Sequence, residues 1–201
     1  MDHKEGVNIS GVILAGGRNI RFGGKIKAKQ LLDGKSIIDR ILSVISSIFD
    51  EIILVTNTPD EFKDFPGIVT RDSIIDVGPL GGIHAAMLKS SKDALFVFAG
   101  DMPFLNRALI LSEIESFNRE EKEVLVPLVE KEIEPLHGIY SNKLKPLLED
   151  WLSANNNPEV RKFIRQTSYG LFPVIRSGSS DKAFTNINTP DDIKHVFENN
   201  Q

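Results

Sequence analysis

The 201-residue chain reads as a single α/β domain of three layers, αβα, whose mostly parallel sheet is covered by helices on both faces. Three observations predict this. Apolar runs along the chain are continuous rather than alternating, as strands buried on both faces require. Segments of helical period separate them, the pattern of successive βαβ units. No stretch is rich enough in Pro, Gly or Ser to divide the chain, and no internal repeat is visible.

Residues 8–15, NISGVILA, form the first predicted strand, which breaks at Gly16-Gly17. Residues 36–49 carry apolar side chains at 37, 38, 41, 42, 45, 48 and 49, a helical stripe, and Ser36 with Asp39 supplies a capping box at its start. Residues 51–56, EIILVT, are the next strand and end at Asn57. A helix is predicted over 79–88, a strand over 94–99 ending at Gly100-Asp101, a helix over 105–117 and a strand over 123–129. Beyond residue 130 the pattern loosens: a strand over 136–140, helices over 143–152 and 159–165, and a short strand over 183–187. Thr189-Pro190-Asp191-Asp192 then starts a helix with Pro in its first position. Asn155-Asn156-Asn157-Pro158 reads as an exposed loop.

Twenty-four Lys and Arg against 28 Asp and Glu leave a formal net charge of −4, which lacks the overall footprint of a nucleic-acid binder. The chain has no Cys, which removes thiol nucleophiles, disulfide frameworks and Cys-type zinc or iron–sulfur sites together. His3, His84, His137 and His195 are scattered without metal-ligand spacing. No apolar run is long enough for a signal-peptide core or approaches the roughly 20 residues that span a bilayer. A soluble, cytoplasmic protein without nucleic-acid or membrane partners is expected.

The most informative stretch runs Leu14-Ala15-Gly16-Gly17-Arg18-Asn19-Ile20-Arg21-Phe22-Gly23-Gly24-Lys25-Ile26-Lys27. Four glycines let the backbone turn tightly and bring N–H groups close to an anion, and Arg21 and Lys27 add full positive charge. Such a loop, at the carboxyl end of the first strand of an open parallel sheet, suits a polyphosphate. It is neither a G-x-G-x-x-G fingerprint nor a Walker A motif: Gly34-Lys35-Ser36 gives the end of the latter, but Lys29 occupies its first Gly position. A solvated Gly/Arg loop is the plainer alternative.

Asp101, in Gly100-Asp101-Met102-Pro103-Phe104-Leu105, stands at the same sheet edge, where a carboxylate can hold Mg²⁺ against phosphate oxygens. Taken alone it serves equally to close a turn before Pro103. Asn57, Asp72 and Gly78-Pro79-Leu80-Gly81-Gly82 form a third group. Asp suits the N1–H and N2–H₂ donors of guanine, yet spacing alone leaves these as turn residues just as readily.

In order along the chain, LAGG-x₃-R-F-G-G-x₂-K, Asn57, GPLGG, GDMPFL and Asn186-Ile187-Asn188-Thr189-Pro190 resemble the molybdenum cofactor guanylyltransferases (MobA). The resemblance covers residues 11–192. It implies a Rossmann-like nucleotidyltransferase sheet and transfer of GMP from Mg·GTP to the terminal phosphate of molybdopterin, with pyrophosphate released. By position, Leu14, Ala15, Gly16 and Gly17 would hold the guanine and ribose side, and Arg21 and Lys27 the triphosphate. Asn57 and Asp72, with Gly78, Pro79 and Leu80, would form the nucleotide pocket, and Asp101 would bind Mg²⁺. Arg161, Lys162, Asn186 and Asn188 would face the acceptor. The nucleotide half would span about residues 8–105 and the acceptor half about 106–201. Arg21, Lys27 and Asp101 would be the catalytic set, and proteins that deliver molybdopterin and receive the product are the implied partners. The chain departs from the family pattern at Ile26, where Asp or Pro is usual, and at Phe22, where Met is commoner. Lys29, two residues past Lys27, is a second candidate for the phosphates. A cytidylyltransferase of the same superfamily and a non-catalytic GTP-binding module are the competing expectations.

Overall fold

The computed structural model describes residues 8–16, 26–74, 77–154, 158–175, 182–189 and 192. In chain order, strand β1 (Ile9–Leu14) precedes a hairpin of β2 (Leu31–Leu32) and β3 (Lys35–Ser36), helix α1 (Ile37–Ile45), β4 (Ile52–Val55), β5 (Ile68–Thr70), α2 (Pro79–Lys89) and β6 (Ala94–Ala99). Then come α3 (Arg107–Glu120), β7 (Val124–Val129), β8 (Glu132–Ile133), β9 (His137–Ser141), α4 (Lys145–Ala154), α5 (Val160–Ile164) and β10 (Tyr169–Val174).

The main sheet has the order β10-β7-β9-β6-β1-β4-β5, with β8 paired to the end of β7. Its ladders β1·β4, β1·β6, β4·β5 and β10·β7 are parallel. β9 runs antiparallel to both β6 and β7. The segment joining β7 to β9 is too short for the dozen or more residues of a parallel crossover. It folds instead through the β7·β8 hairpin. The sheet is therefore mostly parallel but mixed.

Side chains alternate between two cores. Ile13, Leu54, Phe96, Phe98, Leu125 and Ile139 pack on the face covered by α1 and α3. Val12, Ile53, Val55, Leu95, Val97, Val126 and Tyr140 pack on the face covered by α2, α4 and α5. α1 buries Ile37, Ile38, Ile41 and Ile45, the predicted stripe, and Ser36 caps it by accepting the Asp39 N–H. The chain leaves β1 through α1 to β4 on one side, then returns through α2 to β6 on the other. The point where the order reverses lies between β1 and β6, and open α/β sheets bind their ligands at such a point.

One predicted strand is absent, the helix expected from residue 189 lies mostly outside the described residues, and the other predicted strands and helices appear within a few residues of their expected bounds. Residues 183–187 are a turn and a stretch outside any sheet ladder rather than a strand. Ala183 and Phe184 are apolar because they cover Val129, Leu109 and Val174, and Ile187 is buried in the α1/α3-side core. β10 went unexpected because Pro173 interrupts its sequence, but as an edge strand β10 tolerates the missing donor. The β2–β3 hairpin turns on Asp33 and Gly34, both at positive φ (53° and 75°), the Asp-Gly signature of a tight two-residue turn. Pro158 is buried rather than exposed, while residues 155–157 of that expected loop lie outside the described residues. At the late helix start, Asp192 accepts from the N–H groups of Asn188 (2.6 Å) and Thr189 (2.8 Å), and Thr189 Oγ1 accepts from Asp192 N, a reciprocal cap.

Candidate active site

A cleft of about 1500 Å³ opens across the carboxyl ends of β1, β4 and β6. Pockets for one small ligand are usually about 300–1,000 Å³, so a nucleotide and a second substrate fit together. Its floor is main chain. Ala15 N donates to Val55 O and Gly100 N to Leu14 O, both at 2.9 Å, extending the parallel pairing past the strand ends. A Cβ at Gly100 would lie 2.8 Å from Leu14 O and 3.0 Å from Ala15 Cα, so only glycine lets the two exits touch.

On the floor, Lys27 Nζ lies 2.6 Å from Asp101 Oδ2 and donates to Asn188 Oδ1 at 2.8 Å. Ile187 N donates to the Asp101 carbonyl at 2.9 Å, which ties the late loop to the end of β6. Lys27 comes from a 3-10 turn, Lys27–Lys29, that also turns Lys29 away: Lys29 Nζ bonds Glu61 at 3.0 Å and lies over the Phe62 ring. The other oxygen of Asp101, Oδ1, is enclosed and has no hydrogen-bond partner. An enclosed, unpaired carboxylate oxygen suits a hard divalent cation. No cluster of three or more His, Asp or Glu exists among the described residues.

On one flank Asn57 Nδ2 donates to Asp72 Oδ2 at 3.3 Å. Gly82 leaves room for this carboxylate: a Cβ there would stand a tight 3.3 Å from Asp72 Oδ1, whereas one at Gly16 would meet Oδ2 at an ordinary 3.5 Å. Burial holds the Asp72 carboxyl above the usual carboxylate range, and the Asn57 hydrogen bond pulls it part of the way back. Gly78 and Pro79, where α2 begins, line the same flank.

The opposite wall is Glu134, Pro135, Leu136 and the start of α5. Tyr140 O–H donates to Pro135 O at 2.6 Å and Ala99 N to Leu136 O at 2.8 Å, so the sheet itself holds this wall. Burial pushes the Tyr140 phenol strongly upward, leaving it a permanent donor here. Arg161 faces the cleft with its guanidinium pinned by Glu132 and the Ile133 carbonyl.

Of the residues expected from the sequence, Leu14, Ala15, Gly16, Lys27, Asn57, Asp72, Gly78, Pro79, Asp101, Arg161, Asn186 and Asn188 all line this one cleft. Leu80 does not: its side chain is fully buried in the α2-side core. Neither does Lys162, whose exposed ammonium pairs with Glu159 one turn away. Gly17 and Arg21 lie outside the described residues. Glu134, Pro135 and Leu136 were missed, because only the return of β9 beside β6 brings them to the cleft.

An open, mostly parallel sheet with this cleft at its switch point, carrying a lysine–carboxylate pair beside a base-sized flank, defines a nucleotidyltransferase. Residues 11–170 match the MobA-like NTP transferase domain, and the chain belongs to that family. Over 194 residues it is 31% identical to a molybdenum cofactor guanylyltransferase of Desulfosudis oleivorans, covering 92% of this chain and 93% of that one. It is 33% identical to the molybdenum cofactor guanylyltransferase of Syntrophotalea carbinolica, covering 92% and 89%. The crystal structure of molybdopterin-guanine dinucleotide biosynthesis protein A from Archaeoglobus fulgidus superposes with a TM-score of 0.77 at 23% identity, covering 94% of this chain and 97% of that one.

Proposed function

We propose that the chain transfers GMP from Mg·GTP to the terminal phosphate of molybdopterin, with or without bound molybdenum, forming molybdopterin guanine dinucleotide and pyrophosphate. The observation that carries this reading is the meeting, in one cleft, of the Asn57–Asp72 pair on one flank and the Lys27–Asp101 pair on the floor. The names of the relatives support the acceptor. An oxygen of the acceptor phosphate bonds to the α-phosphorus of GTP, the bond from that phosphorus to the bridging oxygen breaks, and its electrons leave with pyrophosphate. The nucleophile is already an anion, so the protein needs no strong base. Its task is to hold two anions in line and offset their charge.

Asp72 accepts from the guanine N1–H and N2–H₂ donors, Leu14 to Gly17 and Gly78-Pro79 bracket the nucleoside, and Lys27 with Arg21 offsets phosphate charge. Mg²⁺ on Asp101, when bound, supplies the remaining positive charge on the phosphate oxygens. Arg161, Asn186 and Asn188 face the acceptor, so that about 8–105 serves the nucleotide and 106–201 the acceptor. No helix among the described residues is long and apolar enough to cross a membrane. The proposed location is the cytoplasm, beside the proteins that deliver molybdopterin and take up the product.

Pyrophosphate release measured with each of the four NTPs and molybdopterin as acceptor tests the reaction. Turnover with GTP alone is expected; preference for CTP would replace the base assignment, and tight GTP binding without pyrophosphate would make the chain a binding module.

The Asp72 carboxyl also sets a pH dependence. Its folded pKa lies above the ordinary value, and only the ionised form accepts both guanine donors. Affinity for GTP relative to ATP therefore falls as pH drops through that raised value. Asn57→Ala removes the hydrogen bond that favours ionisation, so the fall should move to higher pH. Titration of the GTP-to-ATP affinity ratio reads this directly, and an unmoved curve in the variant would remove Asn57 from the base pocket.

A further inference from the structure

Besides Asn57, a second set of contacts holds the backbone beside Asp72. The segment that carries it lies along the first turns of α2. A Cβ at Gly82 would stand 3.3 Å from Asp72 Oδ1, and one at Gly81 would come within 2.9 Å of the Ile74 carbonyl. Two residues further along the helix, His84 Nδ1 lies 2.6 Å from the hydroxyl of Ser73, the neighbour of Asp72. The ring is nearly buried, 7% exposed. Its other nitrogen, Nε2, lies 3.1 Å from Glu149 Oε1 on α4.

For a neutral His84 ring these contacts set the direction of each bond. An ionised carboxylate only accepts, so Glu149 keeps the proton on Nε2. In the neutral ring Nδ1 is then the acceptor, and the Ser73 O–H points at it. A hydroxyl with one committed proton and a buried partner holds its own backbone, and here that backbone leads straight into Asp72.

We propose that Ser73, His84 and Glu149 form a positioning relay that aims the Asp72 carboxylate at the nucleobase and so sets base discrimination. None of the three lines the cleft; they act through Asp72. The proposal rests on the reading of Asp72 as the base-facing carboxylate. Without the relay, the backbone that carries Asp72 loses this anchor, and the carboxylate loses the geometry that accepts two guanine donors at once. With it, the second donor, the 2-amino group, is counted.

The test is equilibrium binding of Mg·GTP, Mg·ITP and Mg·ATP to the full chain by calorimetry. ITP lacks the 2-amino group, so the GTP-to-ITP ratio reads the aim of Asp72 and not the integrity of the fold. Ser73→Ala and His84→Ala are each expected to weaken GTP about tenfold, the loss of roughly one hydrogen bond's worth of alignment, and to leave ITP and ATP nearly unchanged. His84→Asn, whose side-chain carbonyl can accept the Ser73 hydroxyl in place of Nδ1, should restore most of the preference. In an Asp72→Asn background, Ser73→Ala should cost nothing further. If Asp72→Asn abolishes the GTP preference while Ser73→Ala and His84→Ala keep it, the relay is wrong and the base reading stands. If Asp72→Asn itself leaves the preference intact, both fall. Equal weakening of all three nucleotides in Ser73→Ala would reduce the relay to a purely structural contact and overturn the proposal.

Discussion

Asp101→Asn is expected to lower kcat by about 10²–10³, or roughly 3–4 kcal/mol of transition-state stabilisation, the scale for removing one preorganised charge stabiliser. The substitution keeps the shape of the side chain but removes the negative charge that faces Lys27 at 2.6 Å, and it replaces an enclosed, unpaired acceptor with an uncharged group. The fold has little reason to suffer. The side chain is about a quarter exposed, where such an ion pair contributes little. Single-turnover measurement of pyrophosphate release, paired with thermal unfolding of the same sample, separates the two effects. Magnesium should tighten GTP binding to the unaltered chain and fail to do so in the variant, and chelation should bring the two to the same affinity. A variant that turns over within threefold of the unaltered chain would take Asp101 out of the chemistry.

The second large effect lies under the sheet. Phe96→Ala should destabilise the chain by about 3–5 kcal/mol, a large part of the 5–15 kcal/mol that holds an ordinary domain together. For a chain of this length that corresponds to a fall of roughly 10 °C in Tm. Phe96 is fully buried; its ring stacks on Phe98 at 4.5 Å and meets the edges of Phe49 at 5.9 Å and His137 at 5.4 Å. Three rings therefore lose a wall at once. The cavity would also open beside His137 and Glu113, which approach within 3.2 Å with almost no exposure. Burial pushes the Glu113 carboxyl upward and His137 draws it part of the way back, so this pair depends on the shell that Phe96 completes. Differential scanning calorimetry decides it: a Tm within about 3 °C of the parent would mean that the ring cluster repacks.

The helices and central strands were legible because they answer to local rules. Isoleucines at 37, 38, 41 and 45 make one helical face in any context, and Ser36 with Asp39 caps it by reaching three residues along the chain. ALFVFA can only be a strand buried on both sides. The candidate site was legible where a residue type is required by chemistry at a strand end, as for Asp101, while Lys27 was marked by the glycine-rich run that it closes and Asp72 by the family resemblance. Leu80 misled because the GPLGG run was read as one unit, whereas the helix that begins there turns Leu80 into the core and Gly82 toward Asp72. Ala183 and Phe184 misled because burial under Val129 looks like burial in a sheet.

By itself, then, the sequence determined the family, the layers of the domain and the sheet edge that carries the candidate site, because strand ends, glycine turns and helical stripes are written over a few neighbouring residues. Only the tertiary structure decided the rest. β9 entered antiparallel between β6 and β7 and built a wall from Glu134, Pro135 and Leu136. Lys27 rather than Lys29 met Asp101, and His84 of α2 met Ser73 on one side and Glu149 of α4 on the other. These pairs join residues as few as 11 and as many as 74 positions apart, and which of them meet depends on how the helices pack on the sheet, a choice that no local pattern encodes.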